Sequence, residues 1–181
     1  MPVTRYVVLL RGINVGGHNR IAMGRLRELC DDLGYPDAVT HLQSGNAVLA
    51  GRTRKPAGLA QAIEKKIASD LDLTVRVIVR TRDELAAVID RNPMPGRTSD
   101  PAKLHVTFLS ESPDPARISK IDPAAYAPDE FQVVEREIYL WYPNGAGRTK
   151  LGNDFWEKRL GVAGTARNWN TVTALLRLAD A

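Results

Sequence analysis

The sequence predicts an α+β protein built from two similar halves. Three observations carry that expectation. Short apolar or alternating runs are interleaved with segments of helical period along the 181 residues. Several strand-like runs come in pairs joined by turn residues. The order of elements in the first half is echoed in the second.

Taken in order, Tyr6–Leu10 is a continuous apolar run, the pattern of a buried central strand. Met23, Leu26, Leu29, Cys30 and Leu33 then recur at helical spacing, and Gly34 and Pro36 provide a stop. Val39–Gln43 and Ala47–Ala50 read as a hairpin turning at Ser44-Gly45-Asn46, and Gly51–Pro56 as a basic loop. Leu59, Ile63 and Ile67 give a second amphipathic helix, and Leu73–Val79 a fourth strand. Strand, helix, strand, strand, helix, strand is the split βαβ, or ferredoxin-like, α-β plait: an antiparallel sheet with both helices on one face.

A new helix begins at Thr81, an N-cap with Glu84 three residues on. Arg97–Ala102 is a polar loop, and Leu104–Leu109 is a strand. Pro113–Ile121 forms a short helix, and Phe131–Val134 with Ile138–Tyr142 a second hairpin. Its turn, Glu135-Arg136-Glu137, is charged rather than glycine-containing, which leaves the register open. Phe155–Leu160 and Val172–Leu178 complete the helices. The expected layout is two plait halves, residues 1–81 and 82–181, the second carrying a C-terminal helix. The echo is one of element order, since no clean internal sequence repeat is found.

Composition narrows the class. Hydrophobic residues make 44% and charged residues 25% of the chain, as in globular domains. No apolar run approaches the roughly 18 residues of a membrane span. The N-terminus enters its first strand without a leader-like segment. A lone cysteine, Cys30, excludes an intrachain disulfide framework and suits the cytoplasm; its place on an apolar helix face marks it as an inert thiol. The three histidines, His18, His41 and His105, lack ligand spacing, so no metal and no cofactor are expected.

Charge is unevenly placed. Residues 1–27 hold Arg5, Arg11, Arg20, Arg25 and Arg27 and no acid. Residues 142–170 hold Arg148, Lys150, Lys158, Arg159 and Arg167 against Asp154 and Glu157. Both stretches are also the richest in glycine and asparagine. In the first, Arg11-Gly12-Ile13-Asn14-Val15-Gly16-Gly17 follows a buried strand and precedes a helix, a setting in which backbone N–H groups and a helix N-terminus receive phosphate. Its spelling matches neither the dinucleotide fingerprint nor the P-loop. In the second, Arg167-Asn168-Trp169-Asn170 stands at a helix start, where an asparagine caps, tryptophan can stack on a base and arginine can hold a phosphate. Ser44 and Asn46 of the first hairpin turn would line the same cleft if that turn lies at the glycine-loop edge. Lys150 sits in a second flexible basic loop, Tyr142–Lys150.

Together, Leu9–Gly17, Gln43-Ser44-Gly45-Asn46, Tyr142-Pro143-Asn144-Gly145 with Lys150-Leu151, and Arg167–Thr171 resemble the signature set of the bacterial family called domain of unknown function 1697. The resemblance runs from about Tyr6 to Leu178, with the motifs in the family's order. It implies two plait-like halves in one chain and no established activity. His18 stands where a lysine is common in the family, and Met94 where an aromatic residue is more usual.

Three readings follow. The first is a module binding an anionic ligand, a nucleotide or nucleic acid, through Arg11, Gly12, Asn14, Gly16, Gly17, Ser44, Asn46, Lys150, Arg167, Asn168, Trp169 and Asn170. The second is an enzyme acting on a small phosphorylated or carboxylated substrate. The third is a structural or assembly module, with the chain a monomer or homodimer and no membrane partner. The binding reading carries a geometric expectation: Arg11–Asn14 and Arg167–Asn170 should lie close together.

Overall fold

In the computed structural model, residues 2–52 and 55–181 are described; Thr53 and Arg54 of the Gly51–Pro56 loop lie outside them. The chain forms two units, Met1–Ala87 with Ala174–Ala181, and Val88–Thr173. Both divisions fall inside helices. The last residues return to unit 1, where Arg82 Nε donates to Asp180 Oδ1 (2.6 Å) and Arg5 donates to the Ala181 carbonyl (3.0 Å).

Unit 1 runs β1 (Thr4–Leu10), α1 (Met23–Asp32), β2 (Val39–His41), β3 (Asn46–Gly51), α2 (Pro56–Leu71) and β4 (Val77–Thr81). Its antiparallel sheet has the order β2-β3-β1-β4, the plait order expected, with β1 and β3 central. One face carries Tyr6, Val8, Leu10, Ala47, Leu49, Val77 and Val79. It packs on Leu26, Leu29 and Cys30 of α1 and on Leu59, Ile63 and Ile67 of α2. Fully burying each large aliphatic side chain there contributes about 1.5–3 kcal/mol against exposure. The segment before Val77 is not strand, so β4 is shorter and later than its apolar run suggests.

Next comes α3 (Arg82–Asp90), which starts on the predicted capping box. Thr81 Oγ1 accepts the Glu84 N–H (3.1 Å), and Glu84 Oε2 accepts the Thr81 N–H (2.8 Å). Unit 2 then runs β5 (Leu104–Leu109), α4 (Pro115–Ile118), β6 (Glu130–Val134), β7 (Glu137–Trp141), α5 (Asn153–Leu160) and β8 (Gly164–Asn168), ahead of α6 (Trp169–Asp180). Its sheet order, β6-β7-β5-β8, repeats that of unit 1. The hairpin register pairs Val134 with Glu137, with Glu135 at φ +54° in the turn. Trp156 and Leu160 pack under Leu109, Ile138, Leu140 and Tyr142.

The repeat extends to residue register. Val7 stands opposite Val48 and Arg80, and Val106 stands opposite Tyr139 and Arg167. Leu9 faces Asn46 and Ile78, and Phe108 faces Glu137 and Thr165. Each unit thus buries an arginine and a second polar residue at matching sheet positions. β8 has no pattern legible in the sequence, which hides the matching arginines. Gly164-Thr165-Ala166-Arg167-Asn168 has neither an apolar run nor alternation.

Candidate functional site

The glycine loop is a small hairpin at one end of the unit 1 sheet. Val15 and His18 form a bridge, the His18 N–H donates to the Val15 carbonyl (3.0 Å), and the two residues between them, Gly16 and Gly17, have φ of +59° and +77°. Two central residues at positive φ are the mark of a type I′ turn, which glycine adopts without strain. The loop is therefore not a phosphate cradle opening directly into a helix. Arg20–Ala22 separate it from α1, and the N-cap residue Ala22 offers no capping side chain.

Asn14 holds this hairpin in place. Its Nδ2 donates to the Ile21 carbonyl (2.8 Å) and to the Gln43 carbonyl (2.8 Å), while its Oδ1 accepts the Ile21 N–H (2.9 Å). All three side-chain contacts go to backbone, two closing the loop on itself and one fastening it to the β2–β3 turn. Asn14 itself sits at φ +55°, a left-handed conformation that asparagine tolerates better than most residues. Asn19 adds a bond from Nδ2 to the Gly12 carbonyl (3.3 Å).

The β2–β3 turn thus lies at the same sheet edge as the glycine loop. The Leu10 N–H donates to the Gly45 carbonyl (2.9 Å), and the Arg11 N–H donates to the Arg76 carbonyl just before β4 (2.9 Å). Gly45 is seated so tightly that a Cβ there would stand 2.6 Å from Ile13 Cδ1. Ser44 is exposed and shares a 3.0 Å hydrogen bond with Asn46 Nδ2. Asn46 is fully buried and also donates to the His41 carbonyl (2.7 Å), so it locks the turn from within and presents no atom to solvent.

Around this end Arg20 is exposed, its guanidinium beside Gly17, and Arg11 is half-buried. Of the other N-terminal arginines, Arg25 pairs with Glu28 (2.9 Å) and Asp70 (3.3 Å), and Arg27 donates to Thr40 (2.6 Å). Two exposed apolar side chains also stand at this end. Val15 is 67% exposed at the hairpin tip, and Leu42 is 54% exposed in the β2–β3 turn. Leu42 has φ +61°, which costs a branched residue about 1–2 kcal/mol. Val15 has a signal, an aliphatic residue inside a loop of glycine and asparagine; Leu42 has none.

Arg11–Asn14 belongs to unit 1 and Arg167–Asn170 to unit 2. Arg167 is buried on β8, donating to Thr165 Oγ1 (2.7 Å) and to the Ala166 carbonyl (2.8 Å), and burial lowers its pKa to about 10. Asn168 caps α6 by accepting the Thr171 N–H (3.0 Å), and Trp169 is buried. Asn170 is exposed in the first turn of α6, where its carbonyl accepts the Thr173 hydroxyl (3.2 Å). The equivalent stretch of unit 1, Arg80-Thr81 into α3, has the same build: buried arginine, cap, helix. Arg167, Asn168 and Trp169 therefore have structural uses, and the Asn170 side chain is exposed. Lys150 is exposed on the rim of a separate pocket in unit 2.

The titratable groups with the largest shifts lie in the cores. Burial pushes the Cys30 thiol up to about 11 and lowers His105, whose ring packs 4.9 Å from that of Tyr142. Among the described residues no group of three His, Cys, Asp or Glu side chains could hold a metal, and no helix is long and apolar enough to cross a membrane.

These features define a two-unit α+β plait protein with a hairpin added at the end of its first sheet. The chain belongs to the family described as protein of unknown function, DUF1697, whose model matches residues 3–139. Lys150 and Arg167–Asn170 lie beyond the matched stretch. The fold is similar to that of the conserved bacterial protein SP0830 from Streptococcus pneumoniae. That structure shares 22% identity over 98% of this chain and 99% of its own, with a TM-score of 0.78. No curated protein matches the chain.

Proposed function

We propose that this cytoplasmic protein is a binding module for an anionic ligand, a nucleotide or nucleic acid, which it takes up at the glycine-hairpin end of unit 1. One observation carries the reading. Unit 2 joins its first strand to its first helix in five residues, 110–114, whereas unit 1 uses twelve, 11–22, for the same connection. The plait does not need the extra length. It forms a braced hairpin in a stretch without acids, with Arg20 beside Gly17. Arginine provides a fork for phosphate, and the exposed Val15 and Leu42 offer apolar contact to a base or sugar. Burial of Arg167 and Trp169 moves the weight of the reading from the C-terminal motif to this end.

The test is a fluorescence titration with single-stranded DNA, RNA and mononucleotides at two salt concentrations. Affinity for the polymers should fall with salt, by a log–log slope of about −0.7 for each phosphate neutralised. The Arg11→Gln and Arg20→Gln variants should each weaken binding and flatten that slope. Absence of binding to every probe at low salt would sink the proposal.

A further inference from the structure

Unit 2 holds a pocket of about 170 Å³ between the segment 125–129 and the loop that follows β7. Its walls include Tyr126, Pro128 and Asp129 on one side and Asn144, Arg148 and Lys150 on the other. We propose that this pocket is a second ligand site that takes the phosphoryl group of a small phosphomonoester, with Arg148 and Lys150 on the phosphate and the organic stem against Tyr126 and Pro128. The site is independent of the glycine hairpin and does not rest on the function proposed for it.

The loop is held at both ends. The Tyr142 N–H donates to the Lys103 carbonyl (3.0 Å), and the Gly145 N–H closes a turn onto the Tyr142 carbonyl (2.9 Å). At the far end the Leu151 carbonyl accepts both the Tyr142 hydroxyl (3.0 Å) and the Trp156 indole N–H (2.9 Å). Between them Thr149 is pinned: its hydroxyl donates to Asp129 Oδ2 (2.6 Å) and accepts the Leu151 N–H (3.0 Å). Arg148 and Lys150 neighbour Thr149 in the chain, so the bond that ties the two walls together also anchors the stretch that carries both cations. Such bracing reduces the ordering cost of binding.

Charge selects an anion. Among the described residues neither Arg148 nor Lys150 forms an ion pair. Asp129, the acid in the lining, has one carboxylate oxygen engaged by Thr149. The contrast is a larger pocket of unit 2, about 350 Å³, lined by Pro93, Met94 and Arg97. There Arg97 is paired with Glu130 and lies over the Trp141 ring, so its charge is answered within the protein. Size selects a small ligand. A volume of 170 Å³ equals that of about five or six waters and is below the usual 300–1,000 Å³ of drug-sized sites. Two cations against one acid suit a phosphate, near −2 at neutral pH, better than a carboxylate. The Tyr126 ring is steadied edge-on by Phe155 (centroids 5.1 Å apart), giving the stem a fixed aromatic wall.

The experiment follows backbone amide NMR shifts of the full chain titrated with inorganic phosphate, phenyl phosphate and benzoate. Saturable shifts confined to residues 125–129 and 144–150 are expected with both phosphates, tighter for phenyl phosphate. Arg148→Gln and Lys150→Gln should each weaken phenyl phosphate about ten-fold, the scale of one charge-assisted hydrogen bond, with the rest of the spectrum unchanged. The unit 1 variant Arg11→Gln/Arg20→Gln should bind it normally, so failure here and failure of the glycine-hairpin reading are separable. No saturable shift, equal affinity for benzoate, equal affinity for inorganic and phenyl phosphate, or shifts indifferent to the Arg148 and Lys150 variants would overturn the proposal.

Discussion

Replacing Asn14 tests whether the glycine hairpin is a braced element or a passive loop. Asn14 makes three bonds to backbone, two of them to Ile21, whose side chain is 1% exposed. A net contribution of about 0.5–1.5 kcal/mol per bond gives roughly 3 kcal/mol for their loss. Alanine also meets the φ of +55° with a Cβ and no compensating bond, adding about 1 kcal/mol. Asn14→Ala should therefore lose about 4 kcal/mol, and Asn14→Gly about 3, because glycine accepts the backbone conformation. Asn14→Asp keeps the acceptor for the Ile21 N–H but sets a carboxylate oxygen against the Ile21 and Gln43 carbonyls, and should lose at least as much as glycine. Urea unfolding followed by circular dichroism gives the differences, and amide exchange at Ile21 shows whether the loss is local. If Asn14→Gly is as stable as the wild type, with Ile21 equally protected, the bracing argument is refuted.

Three further outcomes follow from the same structure. Gly45→Ala combines a positive φ (+89°) with a Cβ forced against Ile13 and Leu10, and should cost about 2–4 kcal/mol by chemical denaturation. The Cys30 thiol, buried and raised to about 11, should react with a thiol reagent at pH 8 far more slowly than in denaturant; comparable rates would contradict its burial. Above pH 10 stability should fall. The Tyr139 and Tyr142 hydroxyls are held above the ordinary range, first by burial and then by the nearby carboxylates Glu137 and Asp129 respectively. A raised folded pKa means their contribution is whole below about pH 10 and is lost as pH rises from there toward the folded value. Arg167, lowered to about 10, acts in the opposite sense in that window. Tyr139→Phe and Tyr142→Phe are therefore the measurement, each expected to lose less stability on going above pH 10.

Much of the architecture was legible because local chemistry and tertiary structure agree there. The capping box at Thr81 and Glu84, the helix stop at Gly34 and the strand Leu104–Leu109 stand where their residues place them. β8 was not legible. Its buried side chains include Thr165 and Arg167, which earn no place in any apolar pattern and are tolerated inside because hydrogen bonds answer them. The match between the two sheets is hidden in the sequence for the same reason. It is kept in the register of pairing, Val7 to Arg80 and Val106 to Arg167, and not in residue identity along the chain.

The sequence by itself determined the elements of the first unit, their plait order and the peculiarity of the stretch from Arg11 to Asn19, since periodicity, turn residues and charge are local properties. Only the tertiary structure decided which polar residues face outward. Asparagine, arginine and tryptophan read alike in a sequence whether they bind a ligand or satisfy a backbone. Burial and hydrogen-bond partners separate the two uses. By that measure Arg167, Trp169 and Asn46 serve the fold, Asn14 serves the hairpin, and Arg20, Arg148 and Lys150 face solvent.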